Sequence, residues 1–493
     1  FPPFPSSSSV LAPFSASASL FPFGSSGASP STSICTTPAG LAGPPLVSGT
    51  AAASSSDRPS KRQRGGGGGE EGPAPPSWAA GILAEAGLRK GADAHGGAGL
   101  FAAKHLPEGF TIRVPRRYVL DASAASRTTL GARLTAEGFS AEDVLLAVLA
   151  DARRSGAEGG AYSRWATTLP AAAPDAASWP SDAQALLAGT DLGAALPHVE
   201  QELAELHSRL AAAVGGAVAI TLDELRWARG MALSRRFPAR MGGGEAEEDG
   251  QEGRWGTIGS LVPVMDLLNH SAAADPALIT IGTTEDGQHA FMRNTAPLAA
   301  GDEAFTNYGS AKSNEELLAS FGFAVPNNPA DRIMLLLSLA GEEVACAIGR
   351  GGAIPIGLWK ILAGDMSQGE EDEGDEHGVP VAQLRLWITA ATVSQLRAAL
   401  GAKLKAVFEG ETPAAGPLTS RGESVAHYRA GLQQVLLQAL DEIDRLERAV
   451  VVAPDAEGGD SSGSSDSGDS SDGSDSSEED EDDDASGSSG SDG

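Results

Sequence analysis

The chain has 493 residues, of which 41% are hydrophobic, so it can fill sizeable cores in two or three domains. Its formal net charge of −30 argues against a sequence-independent grip on nucleic-acid phosphates, and no apolar run is long enough for a membrane-spanning helix. With only Cys35 and Cys346 present, the sequence excludes a disulfide framework and a zinc cluster built from cysteines.

Both ends of the chain have a biased composition. Residues 1–56 are rich in Ser, Ala and Pro and contain no charged side chain, which is typical of a chloroplast transit peptide, and a Gly-rich linker follows up to residue 76. The basic residues at 61–64 leave the nucleus open as an alternative location, and the cytoplasm is a further one. From Asp455 onward there are fifteen acidic residues and no basic residue. We therefore expect residues 1–76 and 454–493 to be disordered, the latter as a solubilising or a phosphorylated tail.

The stretch Gly259–Phe323 organises the rest of the chain. It holds two polar clusters in apolar surroundings, Asp266–Ser271 (DLLNHS) and Asn307–Gly309 (NYG). Because an unpaired buried polar group costs roughly 1–3 kcal/mol, these side chains need protein partners or a ligand. After the second cluster, Ser313 and Glu316 form a capping-box pattern, which predicts that a helix begins there.

Two further regions show the apolar period of α-helices, at about 130–240 and at 326–453. In the first region, Ser140 and Thr221 each stand three residues before an acidic residue, and an apolar-periodic run follows each of them. This spacing predicts two capped helices.

In the order of its motifs, the chain resembles SET-domain protein methyltransferases. The motifs are D-x-x-N-H-S at 266–271, G-D-E at 301–303, Y-G-x-x-x-S-N-x-E-L-L from Tyr308, and G-F at 322–323. Within that family, it resembles the plant and algal branch typified by the Rubisco large-subunit lysine methyltransferase. The resemblance implies an α+β fold: a SET domain at 77–325 with a pseudoknot and a helical insert at about 130–240, then an all-α substrate-binding-like domain at 326–453.

Three motifs outside the central stretch are similar to the same branch. They are G-x-G-L-x-A at 97–102, W…L-L-x-G-T at 179–190, and S-R-x-F at 234–237. The resemblance implies that S-adenosylmethionine (AdoMet) is the cofactor. The implied cofactor-binding residues are Gly96, Gly97, Ala98, Gly99, Arg235, Asn269, His270 and Tyr308.

The resemblance also makes Tyr308 the catalytic residue. A phenol has a pKa near 10, so its hydroxyl stays neutral and can orient an amine or contact the transferring methyl group. The implied substrate-binding residues are Asp266, Phe237 and Phe321. Asp266 either pairs with an arginine such as Arg235 or faces the incoming lysine. Arg236 fits a solvated helix C-terminus, and no second ligand stands near His270, so we expect no metal.

Phe321 departs from the branch, whose members usually have a second tyrosine at this position, so the number of methyl groups added stays open. We expect a monomeric AdoMet-dependent protein-lysine N-methyltransferase that acts on a folded non-histone protein, such as the stromal enzymes Rubisco or aldolase. The protein substrate would bind in the SET cleft and on the C-terminal helical domain, with neither nucleic acid nor membrane as a partner. The alternatives are a protein-histidine methyltransferase, which the apolar Phe237 disfavours, and a catalytically silent SET-like binding module.

Overall fold

The computed structural model describes residues 75–93, 97–214, 220–238, 258–271, 278–339, 342–364, 381–410 and 419–452. The predictions for residues 1–74, for Gly96 and for the tail at 454–493 lie outside these ranges. The helices are α1 Ser77–Ala86, α2 Ala122–Ser126, α3 Thr129–Ala136, α4 Ala141–Arg154, α5 Ala161–Ala166, α6 Ser181–Ala185, α7 Asp191–Val214, α8 Leu222–Arg235, α9 Asn314–Phe321, α10 Ile356–Leu362, α11 Val381–Trp387, α12 Ala390–Glu409 and α13 Ser420–Leu446. The strands are β1 Leu88–Ala92, β2 Ala98–Ala102, β3 Phe110–Pro115, β4 Leu120–Asp121, β5 Arg236–Phe237, β6 Ser260–Leu261, β7 Asn269–His270, β8 Ile279–Thr283, β9 His289–Asn294, β10 Glu303–Thr306, β11 Arg332–Leu339 and β12 Glu342–Gly349.

The strands form small sheets, with the orders β1-β2-β10-β7, β3-β9-β8, β4-β6-β5 and β11-β12. Within the described strands the neighbours are antiparallel except for β7 and β10, which run parallel with Phe305 opposite Asn269 and Thr306 opposite His270. Parallel neighbours need a long crossover connection, and here the hairpin of β8 and β9 lies within it. The pairing places the two polar clusters of the central stretch side by side.

Three hydrophobic cores stabilise these elements. The insert core is centred on α4 and α8, where Leu145, Leu149 and Met231 are fully buried. The sheet core fills the space between α1 and the first strands, and the C-terminal core packs α10, α12 and α13 against β11. Burial of each large apolar side chain contributes roughly 1.5–3 kcal/mol, so the cores supply most of the stabilising free energy.

The helix starts follow the predicted caps. The Thr221 hydroxyl accepts from the Glu224 backbone N–H and the Glu224 carboxylate accepts from that of Thr221, which is the reciprocal capping box. Ser313 and Glu316 make the same arrangement at α9. At α4, Ser140 accepts from the Asp143 N–H. A side-chain cap of this kind is worth about 1 kcal/mol, because it satisfies a helix N–H that has no partner within the helix.

The α+β class is confirmed, but the region after Phe323 differs from the all-helical prediction. It opens on the β11–β12 hairpin before the helices begin. Ile333, Leu335 and Leu337 are buried and the residues between them are half-buried, which is the two-residue period of a strand. The sequence IMLLL at 333–337 hides that period, because apolar residues stand on both faces of the strand.

Arg429 of α13 ties the helical insert to the C-terminal core. Its guanidinium makes five hydrogen bonds to backbone carbonyls, and the side chain is only 4% exposed. The acceptors are Leu186 and Ala188 of the insert and Val407 and Gly410 at the end of α12. One buried cation thus satisfies carbonyls at the C-terminal end of a helix, where the dipole also favours positive charge.

Two glycines allow these backbones to approach each other. A Cβ at Gly189 would lie 2.1 Å from the Ala406 carbonyl oxygen, and one at Gly410 would lie 2.0 Å from that of Ala188. No other residue type fits at such distances, so the 186–190 segment is built directly against α12.

A buried ionisable group also joins α9 to the C-terminal core. The Tyr428 hydroxyl donates to Glu315, and the Lys403 ammonium pairs with the Asp191 carboxylate at 2.5 Å. The pKa of Glu315 is raised to about 7, chiefly by burial and also by the nearby Asp191, while the hydrogen bond from Tyr428 and the charge of Lys403 oppose the shift. The folded state therefore takes up a proton on Glu315 near neutral pH.

Candidate active site

Asn269 lies where the strands of the first sheet meet. Its Nδ2 atom donates to the Glu303 carboxylate at 2.7 Å, to the Ala98 carbonyl at 3.2 Å and to the Asp93 carboxylate at 3.2 Å. Asn269 was a predicted site residue, whereas Asp93 and Glu303 were not. An amide side chain has two N–H donors and one oxygen acceptor. After these contacts, the side-chain oxygen of Asn269 can still accept a hydrogen bond from a ligand.

The glycines of the G-x-G motif lie next to these side chains. A Cβ at Gly99 would come within 2.3 Å of the Glu303 carboxylate and 3.0 Å of Asn269 Nδ2. A Cβ at Gly97 would lie 2.6 Å from the Asp93 carboxylate, which accepts the Gly97 backbone N–H at 2.8 Å. The lack of a side chain at positions 97 and 99 leaves room for these carboxylates and the amide, so the chain presents mainly backbone at the start of β2.

Tyr308 follows β10 and turns back toward β7. Its hydroxyl donates to the Leu268 carbonyl at 2.7 Å, and its backbone N–H donates to His270 Nδ1 at 3.1 Å. The pKa of Tyr308 is raised to about 12, chiefly by burial; Arg235 opposes this shift, and the carboxylates of Asp266 and Glu303 add to it. The phenol consequently stays protonated at any physiological pH.

His270 is neutral for two physical reasons. Burial lowers the pKa of its imidazole, and Nδ1 needs a free lone pair to accept from the Tyr308 N–H. The ring lies 5.3 Å from the Tyr308 ring between centroids. The side chain therefore fixes the position of Tyr308, which leaves the His270 backbone for the predicted cofactor contacts.

Aromatic rings line one side of Tyr308. Phe321 stacks on it with a centroid distance of 4.5 Å, and Phe323 lies 6.3 Å from Tyr308 and 5.6 Å from His270. All of these residues are partly exposed, so a ligand can reach the rings from solvent. Phe323 was missed as a site residue, although the G-F motif that contains it was recognised.

Asp266 is paired within the protein. Arg235 Nη1 lies 3.7 Å from the Asp266 carboxylate and donates to the Asp266 carbonyl at 2.6 Å. Trp165 of the insert donates its indole N–H to the same carboxylate at 3.1 Å. Burial raises the pKa of Asp266, while Arg235 and Trp165 oppose the shift. Of the two readings of Asp266, the structure shows the arginine pair, and it adds Trp165, which sequence reasoning missed.

The neighbouring residues of the S-R-x-F motif lie elsewhere. Arg236 pairs with Glu142 of α4, and only 7% of its side chain is exposed, so it is a buried ion-pair partner and the predicted solvated position at the helix C-terminus is wrong. Phe237 lies on β5 opposite Ser260 of β6, and its half-buried ring packs against the sheet core. Phe237 is thus brought next to β6, and its predicted contact with a substrate stays a prediction.

Among the residues that the structure describes, no group of histidine, cysteine or acidic side chains is arranged to hold a metal ion. Likewise, no helix within the described ranges is long and apolar enough to cross a membrane.

This arrangement of sheets and insert is the fold of SET-domain methyltransferases. The structure of the SET domain of LSMT bound to lysine and AdoHcy superposes with a TM-score of 0.60 at 19% identity, over 76% of this chain and 91% of that one. The structure of Rubisco LSMT bound to AdoMet gives a TM-score of 0.59 at 19% identity, over 76% and 92%. The predicted SET fold is confirmed.

The sequence is similar to protein-lysine methyltransferases over shorter segments. It is 29% identical over 138 residues to the chloroplastic Rubisco large-subunit N-methyltransferase of Nicotiana tabacum, covering 25% of this chain and 24% of that protein. It is 33% identical over 79 residues to the ribosomal lysine N-methyltransferase set10 of Schizosaccharomyces pombe (16% and 14%), and 37% identical over 87 residues to the protein-lysine N-methyltransferase EFM1 of Saccharomyces cerevisiae (18% and 14%). The matched segments thus span no more than a quarter of these relatives, and no family model matches the chain. The predicted resemblance to lysine methyltransferases of the SET class is confirmed.

Proposed function

We propose that the protein is an AdoMet-dependent protein-lysine N-methyltransferase. One observation carries the proposal: Gly97–Gly99, Asn269–His270 and Tyr308, from segments far apart in the chain, meet at one site in a SET fold. Two of the three relatives are lysine N-methyltransferases by name and the third is a Rubisco large-subunit N-methyltransferase, and the structural neighbours bind AdoMet or AdoHcy.

The site has groups that suit AdoMet. Its backbone at 97–99 and the Asn269 amide suit the amino-acid part of the cofactor, and Arg235 has a buried Nε–H without a protein partner. Arg235 and Tyr308 would border the reacting centre, and the His270 backbone would face the adenine. When bound, AdoMet supplies a methyl group on a positively charged sulfur.

The aromatic rings prepare a lysine for reaction. A free lysine amine has a pKa near 10.4, and its transfer into the space beside Phe321 and Phe323 lowers that value by desolvation. The Tyr308 hydroxyl stays protonated and holds a fixed orientation through Leu268, so its remaining lone pair can align the amine. Orientation and exclusion of water are the contributions of the chain itself.

Lysine is a better acceptor here than histidine. An imidazole acceptor needs a polar partner for its second nitrogen, but the described walls of the space are aromatic, and the Tyr308 proton is already donated to Leu268. A lysine alkyl chain instead packs well against Phe321 and Phe323. By their names, the relatives act on the Rubisco large subunit and on the ribosome, so we propose a folded non-histone protein as substrate, contacted also by residues 326–453, and the chloroplast as the location.

Cofactor binding can be tested at Gly99. We expect Gly99→Ala to weaken AdoHcy binding, measured by calorimetry, at least tenfold, because the added Cβ collides with the Glu303 carboxylate and the Asn269 amide and displaces the side chain proposed to bind the cofactor. The matched control is Gly81→Ala, since a Cβ at this α1 position meets no atom within 4 Å. Equal AdoHcy binding by Gly99→Ala and wild type would refute the proposed cofactor site.

The acceptor protein can be identified separately. The purified wild-type protein is incubated with labelled AdoMet and with plastid, cytosolic or nuclear extract, and the labelled protein is the acceptor.

Phe321 bears on how many methyl groups are added. We expect Phe321→Tyr to shift the products toward fewer methyl groups, because a phenol oxygen beside Tyr308 occupies space and hydrogen-bonds the amine, which hinders its rotation after the first transfer. Mass spectrometry of the acceptor peptide gives the product ratio. Phe323→Tyr is the control, because the Phe323 ring lies 6.3 Å from that of Tyr308 instead of 4.5 Å. An unchanged ratio in Phe321→Tyr contradicts this role.

A further inference from the structure

Trp165 reaches the site from the helical insert, 101 residues before its partner. It lies on α5, is 3% exposed, and donates its indole N–H to Asp266 Oδ2 at 3.1 Å. The partner carboxylate is also buried, with 1% of the side chain exposed. A buried carboxylate needs donors, and here they are the Trp165 indole, backbone hydrogen bonds at Val264 and Asp266, and the nearby Arg235. Trp165 is the donor that comes from the helical insert.

Asp266 lies in a strained turn. The turn Met265–Leu267 is a 3₁₀ helix, and Val264 before it has φ +75° and ψ −53°. A β-branched residue rarely adopts a positive φ, so this conformation persists only where surrounding contacts hold it. Besides the backbone hydrogen bonds within the turn, three side chains hold it: Arg235 on the Asp266 carbonyl, Trp165 on the Asp266 carboxylate, and Tyr308 on the Leu268 carbonyl.

We propose that Trp165 is a positioning residue: its indole N–H holds the Asp266 carboxylate and thereby the strained turn that presents the Leu268 carbonyl to Tyr308. Through the same turn it fixes Asn269, which begins β7 immediately after Leu268. The helical insert would then be part of the catalytic apparatus as well as a packing domain. The roles of Tyr308 and Asn269 in the reaction rest on the proposed function. The inference that Trp165 fixes the turn Met265–Leu267 does not depend on it.

The bond has an electrostatic consequence that simple packing lacks. Burial raises the pKa of Asp266, and Arg235 and the Trp165 N–H both lower it. Without the N–H, the pKa of Asp266 rises further. As the pH falls, Asp266 then becomes protonated at a higher pH and is no longer a charged partner for Arg235. Tyr308, the other ionisable group that faces Asp266, keeps its proton throughout this range because its pKa is about 12.

The test compares two indoles of the same core. Trp165→Phe removes the N–H and keeps most of the ring volume. Trp227→Phe is the matched control, because Trp227 is 5% exposed, lies in the same insert core, and donates its N–H to the Pro170 carbonyl at 2.9 Å, which does not titrate. Thermal unfolding of the unliganded full chain and of both variants is measured from pH 4 to pH 8.

The sign of the expected effect follows from proton binding. Stability falls with rising pH wherever the folded state binds more protons than the unfolded state, and Trp165→Phe enlarges that difference at Asp266. The Tm deficit of Trp165→Phe relative to wild type should therefore grow by several degrees from pH 4 to pH 8. The deficit of Trp227→Phe should stay constant. Equal pH dependence in the two variants overturns the proposal, and no cofactor or acceptor is needed to see it.

A second measurement covers the case in which Trp165→Phe does not fold. In the indole ¹H–¹⁵N spectrum of the full chain, one tryptophan signal should titrate with pH, and Asp266→Asn should abolish that titration while the Trp227 signal stays unchanged. If no indole signal responds to Asp266→Asn, the proposal is wrong. Where Trp165→Phe folds, we expect AdoHcy to bind about tenfold more weakly at pH 8 than to Trp227→Phe; failure of this arm alone refutes the link to the cofactor site.

Discussion

Replacement of Tyr308 by phenylalanine should lower kcat for methyl transfer by about 10²–10³-fold, the usual cost of removing one preorganised polar group from a reacting centre. The hydroxyl would no longer align the amine, and the Leu268 carbonyl would lose its donor. AdoHcy should still bind within about tenfold, because Arg235 and Trp165 still hold the turn before Asn269 and the 97–99 backbone is unchanged. Single-turnover transfer of labelled methyl groups and calorimetry with AdoHcy measure the two quantities.

Tyr162→Phe is the control for this experiment. Tyr162 also donates its hydroxyl to a backbone carbonyl, that of Val119 at 3.2 Å, and burial likewise raises its pKa, but it lies on α5 outside the aromatic cluster. We expect its variant to lose a little stability and to keep its kcat. If Tyr308→Phe methylates at the wild-type rate, Tyr308 is not the catalytic residue.

The largest effect on stability is expected at Arg429. Arg429→Met should lower the free energy of unfolding by about 3–5 kcal/mol, because methionine fills the volume but leaves the carbonyls of Leu186, Ala188, Val407 and Gly410 without the buried donor. Urea unfolding, followed by tryptophan fluorescence and by circular dichroism, measures the loss.

Arg445→Met is the matched control on the same helix. The Arg445 side chain is 67% exposed and pairs with Glu442 one turn away, so its loss should cost less than about 1 kcal/mol. If the two variants unfold at the same urea concentration, the carbonyl cluster around Arg429 contributes little to stability.

The short-range features of this protein were accessible from sequence. The caps at Thr221 and Ser313 depend on residues three positions apart, and the SET motifs placed Asn269 and Tyr308 in one fold. Asn269 and Tyr308 lie close together because β7 and β10 pair in parallel. Only the family resemblance indicated that these two segments meet.

The remaining features depend on tertiary contacts that have no local signal. Trp165 stands in an apolar-periodic helix and would pass for an ordinary core residue; nothing near it in sequence indicates Asp266. Arg429, within a long amphipathic helix, would be placed in solvent by charge alone, yet it is buried. The domain bounds at 325 and 326 stay a prediction, although residues from the insert and from α9 share the C-terminal core.

The glycine contacts at Gly189 and Gly410 constrain how this protein can be engineered or can diverge. The backbones of the 186–190 segment and of α12 touch at these glycines. A chimaeric protein that takes its C-terminal helices from a relative must therefore take the 186–190 segment from the same relative. Otherwise the carbonyls of Leu186 and Ala188 will not match the guanidinium at position 429. If the C-terminal helices determine which substrate is bound, a change of substrate specificity by domain exchange would require these helices and the 186–190 segment to be exchanged together.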